Sequence, residues 1–474
     1  MLRLMQGKVK GMLAVTAAIL LAFIMVVTPA LADDFDVNAG KLTVAGLKDG
    51  DQVKIYQVVV TEYDAAKNTL SNKFADAGNY GGIDFTAYSK MGNDATGLNE
   101  TANKIATAVA GGATTASTQE KTATGASVEF TNLKAGQYLV VVTNANDSTR
   151  VFQNTIASVE PTVQNGAYAW PADNTITVKS GTLDPNDPSN TGVNKRVNGA
   201  DNIDTITKGD TVNYTIDATL PKYAVGATDR VYTIADTVAS GLTLNDDIVV
   251  KINNTVVNAG AEYTINKDIA GGTFTITVSN ATLLASGGQP IHIEYTGKAA
   301  DTVTYATAGT NEAELTFSSD STTNTTKKQK DTTHTTFYKI TFKKVNAAAI
   351  TEGISGVEFD VFKADNTKVG HLVTGTDGAA EFDGLAAGAY YLVETKVPAG
   401  YDLDQTPHNF TVTSDVQANT FAGTVQAIDN ITNNKSNSLG LPITGGPGTI
   451  ALTAGGLVIM VGAIVYLVRA RRND

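Results

Sequence analysis

Two long apolar runs stand near the ends of the chain, and a period-two alternation fills most of what lies between them. The later run, residues 449–468, is about long enough to cross a ~30 Å hydrocarbon core as a helix. Arg469, Arg471 and Arg472 follow it and predict a cytoplasmic end. The earlier run, residues 12–27, comes after Arg3, Lys8 and Lys10 and before Ala30-Leu31-Ala32. That layout predicts a signal peptide over residues 1–32, cleaved to expose a mature start near Asp33. Between the two runs, segments rich in Val, Tyr and Thr, such as residues 52–60 and 126–143, read as strands. One helix is predicted over residues 98–109, where Leu98, Ala102, Ile105 and Val109 share a face and pack on the core.

The alternation falls into modules. Residues 129–143, EFTNLKAGQYLVVVT, and residues 381–395, EFDGLAAGAYYLVET, are copies of one β-unit, in which the later copy has Glu394 where the earlier has Val142. A turn-rich stretch, TLDPNDPSNTG at residues 182–192, and a polar stretch at residues 319–336 read as links. The chain is therefore all-β: modules at residues 33–178, 193–331 and 337–434, with a tail at 441–474.

The alternation also carries polar side chains inward. Val193, Lys195 and Val197 share one parity, as do Tyr232, Ile234 and Asp236, and Asn311, Ala313, Leu315 and Phe317. The third module repeats the order: Ile340, Phe342 and Lys344, then Tyr390, Leu392 and Glu394, then Ile428 and Asn430. Asn434 shares the parity of Asn430 and Asn433 does not, so three amides remain open for the closing position. An inward Lys or Glu costs several kcal/mol unless it is paired or neutral. Burial lowers a lysine pKa and raises a carboxyl pKa, favouring a neutral amine beside a protonated acid. Such an amine can attack an asparagine carboxamide while the acid relays protons, releasing ammonia and leaving an isopeptide bond. The alternative is two ordinary buried salt bridges with an amide nearby.

Composition sharpens this. There is no cysteine, so an exported chain must find covalent reinforcement in another chemistry. The formal charge of −12 becomes more negative once the cationic ends are removed, which argues against nucleic acid as a partner. His292, His334, His371 and His408 lie far apart, without metal-ligand spacing, and no phosphate loop or catalytic triad pattern is present. Neither a cofactor nor a metal is expected, and the only chemistry in view is single-turnover and self-directed.

Leu441-Pro442-Ile443-Thr444-Gly445 resembles the LPxTG signal of Gram-positive surface proteins, with the apolar run and basic end in the family's order. The resemblance implies that a sortase cuts between Thr444 and Gly445 and passes the threonyl group to an amine. YYLVETKVPAGY, residues 390–401, is similar to the E-box of Cna B-type domains. GDTVNYTI and YTIADTVASGLTL resemble the isopeptide-forming domain of fimbrial shaft proteins, and YAWPADNTITVKSG loosely resembles the pilin motif of shaft subunits but lacks its Tyr-Pro and alters its spacing. Together these resemble major pilins over nearly the whole chain. They imply tandem immunoglobulin-like, Cna-type β-sandwiches, with Lys195 joined to Asn311 under Asp236 and Lys344 joined to Asn430 under Glu394, each bond tying the first strand of a module to its last. Lys179, turned away from Ile176 and Val178, is on this resemblance the lysine that would receive the next subunit's Thr444, the alternative being a solvated lysine at a strand end. Implied partners are pilus-specific and housekeeping sortases, further copies of the chain head to tail, ancillary pilins, peptidoglycan and a host surface receptor. The implied location is the cell wall. An ancillary pilin or a single wall-anchored adhesin is the other reading.

Overall fold

The computed structural model describes residues 35–436, apart from short stretches at 77–79, 81, 92–94, 148, 165–166, 184–191, 225, 240, 307–308, 323–324 and 416–422. The predicted signal peptide, the LPITG motif and the membrane-length run all lie outside the described residues.

The chain divides into two compact units. The first holds the residues up to Lys339, together with Asp383–Ala387 and Thr413–Thr424. Its amino-terminal part pairs Gly40–Ala45 with Ser127–Leu133 and, in parallel, with Thr175–Thr177. A second sheet runs Thr69–Phe74, Gln52–Asp64, Gly136–Thr143, Thr155–Val159, with Thr118–Thr122 also on Gln52–Asp64. The predicted helix is present as Ala95–Ala110. Ala102, Ile105 and Ala106 bury one face among Val58, Leu139 and Ile156, so it packs on the core as its periodicity implies.

Glu160 ends this second sheet. It is half-buried and accepts from Asn72 Nδ2 at 3.1 Å, and burial pushes its carboxyl up to about 7. An acid raised in the fold binds its proton more tightly there than in the unfolded chain. Its contribution to stability is therefore present at acid pH and is lost as pH rises from about 4.5 through about 7. Glu160→Gln should flatten that part of the stability profile, read as melting temperature against pH from 4 to 8.

The rest of the first unit is a two-sheet sandwich. One sheet orders Asn194–Val197, Thr211–Thr219, Pro290–Ala299, Val249–Ile252 and Thr255–Val256. The other orders Asn202–Ile203, Thr326–Thr335, Gly309–Ser318, Tyr232–Val238, Thr273–Val278 and Tyr263–Asp268. Thr326–Thr335 corrects the expectation of a polar link over residues 319–336. This strand, TKKQKDTTHT, has no apolar alternation because its inward Lys327 and Gln329 spend their donors on backbone carbonyls. Lys327 Nζ bonds Arg150 O at 2.8 Å, and Gln329 Nε2 bonds Leu183 O at 2.9 Å. Buried polar groups satisfied in this way cost little.

The second unit holds Ile340–Phe382, Gly388–Val412 and the residues from Val425. The strand Tyr338–Asn346 pairs with Ala349–Gly353, Ala379–Leu385, Val425–Ala427 and, in parallel, Ile431–Asn433. Facing it is a sheet ordered Lys368–Val373, Glu358–Lys363, Gly388–Lys396, His408–Val412. The approach to Lys344 is close: a Cβ on Gly378, whose φ is +76°, would lie 2.2 Å from Lys344 O, so only glycine fits the turn there.

Candidate functional site: two buried lysine, acid and amide clusters

In the middle module the period of two carries Lys195 into the core between Val193 and Val197, all three with no exposed surface. Asp236 and Asn311 come from neighbouring strands of the opposite sheet, two residues apart in register and so on one face, since Val238 pairs with Asn311 and Asp236 with Ala313. Lys195 Nζ is paired with Asp236 Oδ2 and hydrogen-bonded to Tyr295 Oη. Tyr295 Oη donates to the same Asp236 oxygen at 2.8 Å and accepts from Asn311 Nδ2 at 3.0 Å. Tyr295 stacks on Tyr214 with ring centroids 5.3 Å apart, and the lysine nitrogen lies 5.0 and 5.1 Å from the two rings.

Desolvation sets the protonation of this cluster. It depresses Lys195 against the pull of Asp236 and raises Asp236 against the pull of Lys195, so both groups lean toward their neutral forms. The hydrogen bonding agrees. Asp236 Oδ1 and Asn311 Oδ1 are both buried acceptors without a partner, and a proton on the acid supplies a donor that a carboxylate lacks.

The third module assembles the same chemistry differently. Lys344 and Glu394 have no exposed surface and Asn433 only 3%. Lys344 Nζ lies 2.5 Å from Glu394 Oε1 and donates to Asn433 Oδ1 at 2.7 Å and to Thr432 O at 2.9 Å. Asn433 Nδ2 donates to Glu394 Oε2 at 3.0 Å, as does the Asp404 backbone N–H. Burial depresses the Lys344 amine. Lys344 and Asn433 sit on adjacent parallel strands of one sheet, with the acid across the core. In the middle module the amine and amide face each other across the sandwich instead.

Two expectations are corrected here. Asn430 is exposed, and its Oδ1 accepts the Lys343 backbone N–H at 3.1 Å. That side chain takes a place in the ladder between Val425–Ala427 and Ile431–Asn433, so parity does not carry through from Ile428. Asn433 points inward in its stead. In the middle module Asn311 lies on the penultimate strand, Gly309–Ser318, and the last strand Thr326–Thr335 continues beyond it. A Lys195–Asn311 link would therefore join sheet to sheet, not first strand to last.

The first module has apolar Val142 at the acid position, buried opposite Val53. It holds another buried polar cluster, which sequence reasoning missed: Arg150 Nη1 meets Asp51 Oδ2 at 2.6 Å, and Asn144 Nδ2 meets Asp51 Oδ1 at 2.8 Å. A guanidinium stays protonated, so this cluster has the acid and the amide but no available nucleophile. Tyr295 was missed as well. It follows Ile291 and Ile293 at inward spacing and reads as core, and the need of a buried phenol for a partner is the signal that points to it. Lys179 follows the buried Val178 and is partly exposed, with its carbonyl accepting from Gln153 N at 2.9 Å between the short strands Thr175–Thr177 and Ser180–Thr182.

Known proteins share this build. Residues 338–426 match the prealbumin-like fold domain of the SpaA family, and residues 434–474 match the LPXTG cell wall anchor motif. The chain is 26% identical over 323 residues to the fimbrial subunit type 2 of Actinomyces naeslundii, a match covering 56% of this chain and 59% of that protein. Among solved structures, the T6 backbone pilin of serotype M6 Streptococcus pyogenes aligns over 86% of this chain and all of its own, at 16% identity and a TM-score of 0.65. The major pilin SpaD of Corynebacterium diphtheriae aligns over 85% of this chain and 99% of its own, at 20% identity and a TM-score of 0.53. The chain thus combines a domain similar to the prealbumin-like domain of the SpaA family, a segment matching the LPXTG cell wall anchor motif, and a fold shared with backbone pilins of Gram-positive bacteria.

Proposed function

We propose that the protein is the backbone subunit of a covalently polymerised pilus, reinforced inside each copy by two self-formed isopeptide bonds. Lys195 would join Asn311 under Asp236, and Lys344 would join Asn433 under Glu394. The observation that carries this reading is the repeated burial of an amine, an acid and a carboxamide within hydrogen-bonding reach in two separate modules. Holding reactants in one rigid core gives the effective concentration that attack on an unactivated amide needs. The acid orients the carboxamide and moves protons while ammonia leaves. Sortase would cut at the anchor motif after Thr444 and pass the threonyl group to Lys179 of another copy. A housekeeping sortase would pass the last subunit to peptidoglycan. Ancillary pilins and a host surface receptor are further partners this reading admits.

Intact mass of the recombinant chain is the test. Two released ammonia molecules lower it by about 34 Da, about 17 Da for each bond. Asn433→Ala should abolish the third-module link and Asn430→Ala should leave it in place, with the joined peptides identified by tandem mass spectrometry after digestion. An unmodified wild-type mass would overturn the reading.

A further inference from the structure

We infer that Tyr295 is a catalytic residue of the middle-module cross-link, the proton relay between the attacking lysine nitrogen and the departing amide nitrogen. This rests on the isopeptide chemistry proposed above and adds to it a residue outside the lysine, acid and amide set.

The two modules differ at the leaving group. In the third, Asn433 Nδ2 donates directly to Glu394 Oε2 at 3.0 Å, so the acid itself touches the nitrogen that must leave. In the middle module the matching nitrogen, Nδ2 of Asn311, donates to Tyr295 Oη at 3.0 Å. The acid there is an aspartate, one methylene shorter than the glutamate. Its Oδ2 is taken by Lys195 and by the tyrosine hydroxyl at 2.8 Å, and its Oδ1 has no partner. The phenol thus contacts both nitrogens of the exchange, the one that forms a bond to carbon and the one that loses it. It comes from Pro290–Ala299, a strand that carries none of the other three groups.

The step balances through this oxygen. The Lys195 Nζ lone pair forms a bond to the Asn311 side-chain carbonyl carbon, and the C=O π pair moves onto Oδ1. The attacking nitrogen now carries one proton too many. The leaving nitrogen has become a pyramidal amine with a free lone pair, so it turns from donor to acceptor. Tyr295 Oη takes the excess proton from Nζ and gives its own to Nδ2. The oxygen pair then re-forms the carbonyl, and the C–Nδ2 bond breaks with its electrons on ammonia. The phenol ends as it began and need never ionise, which fits a hydroxyl held by burial well above the ordinary tyrosine range. Before the exchange the hydroxyl donates to Asp236, which holds it in place; during the exchange its proton swings to Nδ2, and the proton taken from Nζ restores the bond to Asp236 afterwards.

Tyr295→Phe removes the hydroxyl and keeps the ring between Tyr214 and Phe274, 5.3 and 5.1 Å away. The third module of the same chain is an internal control for folding and for the chemistry. The full chain, recovered unlinked in denaturant and refolded, is sampled over time, and each linked peptide is quantified. Positioned proton transfer contributes roughly 10²- to 10⁴-fold. Y295F should therefore form the Lys195–Asn311 link at least ~100-fold more slowly, while Lys344–Asn433 forms at the wild-type rate. Asp236→Glu in the Y295F background supplies an acid of the third-module length and should recover the middle link. A middle link completed at the wild-type rate in Y295F would overturn the proposal, as would a folded Y295F/D236E chain left unlinked there. A wild-type chain lacking the Lys195–Asn311 peptide would instead overturn the isopeptide reading itself.

Discussion

A chain carrying Asn311→Ala and Asn433→Ala should keep both buried lysine–acid pairs, lose both cross-links and melt far below the wild type. The choice of asparagine separates the covalent effect from the electrostatic one. Removing Asp236 or Glu394 would strand a buried lysine, and a broken buried pair costs about 3–5 kcal/mol by itself. Removing the amide takes away the electrophile and leaves each buried lysine beside its acid, Lys344 Nζ 2.5 Å from Glu394 and Lys195 next to Asp236. Lys344 and Asn433 are 89 residues apart in sequence. Closing a loop of ~100 residues in the unfolded chain is worth about 4.7 kcal/mol in the chain-entropy account of cross-links. At a few degrees per kcal/mol for domains of this size, each module should melt roughly 10–30 °C lower. Calorimetry beside intact mass reads both effects in one sample. A double variant that lacks the bonds and melts within a few degrees of wild type would show that cross-linking contributes little to stability.

Most of this architecture was legible because strands expose their parity. Lys195, Asp236 and Asn311 each sit in a run of apolar residues at a spacing of two, and that alone places them in one core. Legibility ended where parity ended. Asn430 spends its side chain on the Lys343 backbone, a local bond that no pattern of residue types announces, and the strand restarts one step out of phase at Ile431. Thr326–Thr335 was unreadable for a related reason: its inward side chains are polar because their partners are carbonyls such as Arg150 O and Leu183 O, distant in sequence. Arg150, Asp51 and Asn144 come from separate turns and strand ends, where alternation says nothing, and only the fold brings them together. Tyr295 shows the converse limit. Its position was readable as core, but its role depends on what stands at the tip of the ring.

Lys179→Ala should abolish the fibre and leave the subunit intact. The side chain lies in the short connection between Thr175–Thr177 and Ser180–Thr182, outside both buried clusters, and Val178 beside it supplies the packing. Both internal links should form as in wild type, since neither cluster contains Lys179. The effect on assembly should be all or none, since in the proposed reading Lys179 is the amine to which sortase passes the threonyl group. Joining Thr444 of one copy to a lysine of another is a heterologous contact, which propagates as an open fibre unless its rotation closes a ring. In a Gram-positive host producing the chain with its pilus sortase, wild type should yield a ladder of high-mass species that survives boiling in detergent. K179A should yield single chains, together with the form carrying one copy on peptidoglycan. Tandem mass spectrometry of wild-type fibres should find the Thr444 carbonyl on the Lys179 amine. A ladder of wild-type length from K179A would place the acceptor on another lysine, and the residue found joined to Thr444 would identify it.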